Sequence, residues 1–118
     1  MSVQQIAEDL VAMCRAGQFD ESGEKYWADD VLSLEPTGDE MAEARGKDAV
    51  RAKGEWFSAN HELHGVEVEG PYVHGDQFVV RFKMDLTPKG GERTQMDEVG
   101  VYTIRDGKIV EERFFYGV

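Results

Sequence analysis

From Phe78 to Leu86 the chain alternates: Phe78, Val80, Phe82, Met84 and Leu86 share one parity, while Arg81, Lys83 and Asp85 share the other. A period of two is that of a strand with one buried face. The same reading predicts strands near 63–73, 77–87, 93–104 and 108–117. They are separated by His74-Gly75-Asp76, Pro88-Lys89-Gly90-Gly91 and Asp106-Gly107, all of them turn chemistry. Connections this short make successive strands antiparallel.

Upstream the period lengthens. Val3, Ile6, Ala7, Leu10, Met13 and Cys14 recur at helical spacing behind Ser2 and Gln5, a capping-box pair, and Gly17 offers a stop, so a first helix is predicted from about Ser2 to Ala16. Asp20 is expected to cap a shorter helix reaching Trp27, followed by a brief strand from Val31 to Glu35 that Pro36 ends. The segment 36–45 has no period and is expected to be a mobile loop. Beyond Gly46, the residues Ala49, Val50, Lys53, Trp56 and Phe57 fall on one stripe of a third helix that Asn60 terminates. Gly54 weakens that helix by about 1 kcal/mol relative to Ala. Helices followed by a strand meander imply an α+β fold, and 118 residues suit a single domain spanning 1–118.

Parity then sorts the side chains into faces. Met96, Glu98, Gly100, Tyr102 and Ile104 share one, and Val110, Glu112, Phe114 and Tyr116 share another with Ile109, Glu111, Arg113 and Phe115 opposite. Helices can cover only one side of the sheet, which leaves Val79, Val99, Val101, Ile109 and Phe115 as an outer apolar patch. A second copy of the chain covering that face would give a two-fold homodimer; scattered surface hydrophobes of a monomer are the alternative.

Thirteen Lys and Arg against 24 Asp and Glu leave a net charge of −11, which repels phosphate backbones and anionic lipid, so neither nucleic acid nor membrane is an expected partner. With no basic leader before an apolar block, no apolar run of spanning length and one cysteine, Cys14, the reading is a soluble cytoplasmic protein in a reducing compartment. Cys14 itself reads as a small buried hydrophobe. His61, His64 and His74 lack a completing Cys or carboxylate at ligand spacing, so no metal site is expected; His64 shares parity with Val66 and Val68 and is a rim acid or base at most. No phosphate loop, dinucleotide fingerprint or serine-nucleophile motif occurs, and no cofactor is expected.

Four segments in this order carry a resemblance: Ala16-Gly17-Gln18-Phe19-Asp20, Trp27-Ala28-Asp29-Asp30-Val31, Gly46-Lys47-Asp48-Ala49-Val50 and Asp106-Gly107-Lys108-Ile109-Val110. With them the chain resembles the nuclear transport factor 2-like superfamily, and within it the SnoaL-like branch related to polyketide cyclases and ketosteroid isomerases. That resemblance implies a cystatin-like cone, in which a strongly curved antiparallel sheet wraps around three N-terminal helices and leaves a cavity at the wide end. It implies a pocket for an apolar small molecule walled by Phe78, Val80, Phe82, Met84, Tyr102, Glu112, Phe114 and Tyr116 and roofed by Trp27, Trp56 and Phe57.

In the isomerases the carboxylate before the strand-one proline is the base, and here Glu35 precedes Pro36. Ketosteroid isomerase builds its oxyanion hole from a tyrosine and a carboxylic acid that its apolar site keeps neutral. The matching positions here are Leu10 and Gly100, which argues against steroid isomerisation. What the resemblance leaves is Glu35 with Glu112, Tyr102 and Tyr116 as candidate catalytic residues of a cofactor-free isomerase, cyclase or dehydratase. A carboxyl in apolar surroundings is shifted toward neutral pH, which suits proton transfer. The alternatives stay open: Glu35 alternates against Leu32 and Leu34 and could face solvent, Glu112 could pair with Arg81 or Arg113, the tyrosines could be core aromatics, and the domain could bind a ligand or dimerise without turnover.

Overall fold

The structure is a computed structural model that describes residues 1–38 and 42–117. Helix α1 (Val3–Arg15) opens with the expected capping box: the Gln5 amide donates to the Ser2 hydroxyl, and the Gln5 side chain accepts from the Ser2 amide. Its buried stripe is Ile6, Ala7, Leu10, Val11 and Cys14. Burial pushes the Cys14 thiol up to about 11, so it is an inert core group. Helix α2 (Phe19–Tyr26) starts one residue before the expected cap: Gln18 is the N-cap, without a side-chain bond, and Asp20 lies inside the first turn. Helix α3 spans Lys47–Asn60, but of its expected stripe only Val50 is buried; Lys53 and Phe57 are partly covered, and Ala49 and Trp56 are exposed.

Six strands form one sheet in the order β2-β1-β6-β5-β4-β3. Strand β1 (Trp27–Leu34) begins four residues earlier than its pattern suggests and runs parallel to β6 (Lys108–Phe115), the one parallel pairing among the described residues. Strands β3 (His61–His74), β4 (Gln77–Pro88), β5 (Thr94–Arg105) and β6 follow as an antiparallel meander. Strand β2 (Glu43–Arg45) pairs with β1 inside the segment expected to be a loop. Three residues carry no detectable period, so only pairing could reveal them. The rest of that loop expectation includes 39–41, which lie outside the described residues.

Two bulges re-aim side chains. Thr103 opposes Glu111 while Ile104 opposes Ile109, so Val110 is the extra residue and the parity of the strand flips there. Ile109, expected on the outer patch, is therefore fully buried, and Val110 leaves the inner set. On β3 the register shifts between Leu63 and Gly65, and the bulged His64 is exposed, bonded at 2.8 Å to the Thr87 hydroxyl rather than following Val66 and Val68 inward. Val79, Val99 and Val101 are only partly covered on the outer face, where Tyr72 and Phe115 stand 63% and 50% exposed.

The core lies between α1 and the inner sheet face, where Arg15 ties the helix to β3 through bonds of 3.1 and 3.0 Å to the Val68 carbonyl. No helix among the described residues is long and apolar enough to cross a membrane.

Candidate functional site

A cavity of about 580 Å³ lies between α2, α3 and strands β1, β4, β5 and β6. A smaller cleft of about 320 Å³ lies beside it along Leu63, His64 and Val66; it shares Asp20 with the chamber but not Glu35, Glu98 or Glu112. Of the wall expected from the sequence, Phe82, Met84, Tyr102, Glu112, Phe114 and Tyr116 line the chamber, as do Trp27, Trp56 and Phe57. Phe78 and Val80 do not. Both are fully buried in packed core, because parity fixes the face of a strand but not which half of it the helices cover. Trp56 is 52% exposed and stands at the mouth, edge-on to His61, which stacks on Phe57 at 4.2 Å.

Glu35 turns inward. Val31, Ser33 and Glu35 share the inner parity of β1, and it is Leu32 and Leu34 that face the other way, only partly covered. Its Oε1 meets Lys53 Nζ at 2.8 Å, both side chains about one-sixth exposed, while its Oε2 is shut off from solvent without a hydrogen-bond partner among the described residues. Lys53 also donates to the Ser33 hydroxyl at 2.5 Å and lies 5.2 Å over the Phe114 ring. Ser33 in turn donates to Glu112 Oε2 at 2.9 Å, and the Trp27 indole N–H donates to Glu112 Oε1 at 2.7 Å. Glu112 pairs with neither Arg81 nor Arg113; those guanidiniums are held on the outer face by Asp97 and Glu111. One connected set thus runs Glu35, Lys53, Ser33, Glu112, Trp27, and it crosses from α3 through β1 to β6.

Small residues make that set possible. A Cβ on Gly23 would fall inside the Trp27 indole, so α2 carries glycine where the ring must lie to reach Glu112. A Cβ on Gly100 would come within 3.0 Å of the Tyr102 ring and 3.1 Å of the Phe114 ring, which meet edge-to-face at 6.2 Å. Tyr102 stacks on Phe78 on its other side, 4.9 Å between centroids.

Burial raises the Glu112 carboxyl above its ordinary range, opposed by the indole bond, the Lys53 charge and the Ser33 bond. Burial also lifts the Tyr102 phenol well above 10, with the Glu112 charge adding, so it stays a donor at any physiological pH. Glu98, which shares the inner parity of β5 with Tyr102, is pushed up to about 8, chiefly by desolvation and then by the Glu35 charge, partly opposed by Lys53. Sequence reasoning does not single out Glu98 or Lys53 as a site residue, although both stand on the correct face or stripe; their signal is an ionisable group at an inward position. Asp20, expected to be a cap, also lines the chamber. Among the described residues no three His, Cys, Asp or Glu form a metal-binding group.

A SnoaL-like domain model matches residues 1–116. A crystal structure of a candidate SnoaL-like polyketide cyclase from Mesorhizobium loti, also described as a carbohydrate phosphatase, is 52% identical. It superposes with a TM-score of 0.96 over 98% of this chain and 100% of that one. A candidate isomerase from Bacillus subtilis is 18% identical with a TM-score of 0.80, covering 99% of this chain and 90% of that one. A protein with a ketosteroid isomerase-like fold from Catenulispora acidiphila, in complex with trimethylamine, is 16% identical with a TM-score of 0.76, covering 95% and 85%. At those two identities the likeness speaks to fold alone. Among curated proteins none matches the chain.

Proposed function

Because the chain belongs to the SnoaL-like family, whose fold it shares and whose members differ in chemistry, we propose that it is a cofactor-independent acid–base catalyst of the isomerase, cyclase or dehydratase type. Its substrate is a compact carbonyl compound, held mainly by apolar contacts in the chamber. The observation that carries this reading is Glu35: a carboxylate fixed through one oxygen by Lys53, its other oxygen without a partner, at the wall of an apolar cavity.

An unpaired buried acceptor costs about 1–3 kcal/mol, and a proton satisfies it. The terminal torsion of a glutamate is soft, so a small rotation brings Oε2 to a ligand while Lys53 keeps its hold on Oε1. Glu35 is then the base that removes a proton beside the carbonyl, and the Tyr102 hydroxyl, a permanent donor, steadies the oxyanion that develops. Glu112 is a positioning residue. Both its oxygens are occupied, and through Ser33 it holds Lys53 and so Glu35. Phe82, Met84 and Phe114 supply the apolar surface, with Tyr116, Trp56 and Phe57 toward the mouth.

The test is deuterium incorporation next to the carbonyl in a panel of cyclic ketones and enones, followed by proton NMR. Wild type should catalyse exchange, and Glu35→Gln should slow it by about a hundredfold or more. Exchange that persists in Glu35→Gln, or none across the panel, would overturn the assignment. Leu10 lines the chamber and Gly100 lies on its β5 wall, where the isomerase resemblance would put oxyanion donors, and this favours a second reading, a ligand-binding domain without turnover. Under that reading ligands bind the chamber but no exchange is seen.

A further inference from the structure

Glu98 has no part in the proposed chemistry, and its surroundings bear on what enters. Glu98 projects from β5 into a cavity whose lining also carries Asp20, Glu35 and Glu112. Against these four carboxyls stands the ammonium of Lys53, already engaged by Glu35 and Ser33. His61 is the other basic side chain of the lining, stacked on Phe57 with Nδ1 on the Phe57 carbonyl at 2.9 Å. Glu112 is saturated by Trp27 and Ser33, whereas Glu98 has no hydrogen bond or ion pair among the described residues. The chamber therefore offers two carboxyls without a hydrogen bond or ion pair among the described residues, Asp20, which is exposed, and Glu98, which is desolvated amid aromatic rings, inside a chain of net charge −11.

The three charge classes of ligand meet very different fates there. An anion must compete with Glu35 for the one ammonium and face the remaining acids. A neutral molecule gains only apolar contact. A cation gains the aromatic lining of Trp27, Trp56, Phe57 and Phe114, and a carboxylate once Glu98 ionises. The protein's own ammonium displays the arrangement, since Lys53 sits over the Phe114 ring with a carboxylate at 2.8 Å.

We propose that the natural ligand of the chamber carries an organic ammonium group with compact apolar substituents, beside the carbonyl on which the proposed chemistry acts, and is taken with Glu98 as its counter-ion. The inference rests on reading the cavity as a ligand site but not on Glu35 being a catalyst. In the free protein Glu98 titrates at about 8, facing Glu35 on β1, Lys53 on α3 and Glu112 on β6, with Tyr102 on its own strand. A bound cation favours the ionised form and lowers that value. Binding at neutral pH therefore expels a proton, and affinity climbs with pH until the free-state value is passed.

The probes are three molecules of one shape: choline, its neutral isostere in which a tert-butyl group replaces trimethylammonium, and the anion of tert-butylacetic acid. Binding is read from the indole resonances of Trp27 and Trp56. Choline should bind about tenfold tighter than the isostere at about pH 9, the preference shrinking toward about pH 6.5, with the anion weakest. Glu98→Gln should bind the isostere as wild type does and lose the preference for choline. Lys53→Met, which strips Glu35 of its resident ammonium, should bind choline more tightly. An isostere bound as well as choline at both pH values, or a preference that survives Glu98→Gln, overturns the inference and leaves the ligand site standing. If none of the three shifts the indole resonances at tens of millimolar, the inference and the ligand-site reading fall together.

Discussion

Glu98→Gln also makes a measurable statement about folding. In the folded chain this carboxyl titrates at about 8 rather than its ordinary 4.5, with desolvation the leading cause. Its folded value is raised, so the stabilisation it supplies is fully present below about pH 4.5 and is lost as pH climbs through about 8. At about 1.4 kcal/mol per pH unit, the full span corresponds to about 5 kcal/mol, a large share of the 5–15 kcal/mol that holds a typical domain together. Glutamine has the same shape and no charge to desolvate. The stability of wild type minus that of Glu98→Gln, from urea denaturation at intervals between about pH 5 and pH 9, should therefore fall with pH at close to the limiting slope and flatten above about pH 8. Taking the difference cancels the titrating groups that do not interact with Glu98; Glu112, which does, has a raised value that acts with the same sign. A difference that stays level within about 0.5 kcal/mol across the range would mean a solvated Glu98 and would refute the account of the chamber as a desolvated enclosure.

Trp27→Phe removes the donor to Glu112 Oε1 and should cost about 1–3 kcal/mol in urea denaturation near neutral pH; a loss below about 0.5 kcal/mol would mean the indole bond is not formed. Phe78→Ala, in packed core, should cost about 3–5 kcal/mol, and Phe114→Ala, on the wall of an existing cavity, about 1–2 kcal/mol; the reverse order would place the chamber at the wrong end of the sheet. Tyr72, Val79, Val99, Val101 and Phe115 form the outer-face patch that a two-fold partner would cover, so light scattering should give twice the 13.3 kDa chain mass, and Phe115→Asp should return it to that of one chain. A single-chain mass for the wild type at micromolar concentration would refute the dimer.

The parts of this fold that can be read from the chain are those encoded locally. The capping box of α1 lies within four residues, and the alternation of β4 within nine, so each announces itself without knowledge of its neighbours. The parts that cannot be read are set by pairing. Nothing at Glu43–Arg45 marks a strand until β1 lies beside it, and nothing at Val110 or His64 marks a bulge, yet each bulge reverses the parity on which the side-chain assignment depends. Alternation puts Ile109 outside for that reason alone. The site shows the same division. Glu112, Tyr102 and Phe114 lie downstream of the bulge or on the unbulged strand, and alternation gives them the correct face, whereas Phe78 and Val80 share that face but lie in packed core, a depth along the strand that alternation does not carry.

Burial alone does not account for acids on the inner face. A sheet that only had to bury itself under three helices would continue the apolar alternation of β4 across β5, β6 and β1. Instead glutamates interrupt it at Glu98 on β5, at Glu112 on β6 and at Glu35 just past the end of β1, where desolvation is the leading cause that lifts the first two against folding at neutral pH. Interruptions scattered through a core would be isolated penalties, each answered by its own partner. These share one cavity, one lysine and one another's fields, and the two whose titration is displaced owe part of that displacement to Glu35. Departures from a folding pattern that converge in space mark the place where stability has been given up for chemistry. Here they converge on the three-carboxylate wall around Lys53, which is why the charge of the ligand is the property the choline series is built to read.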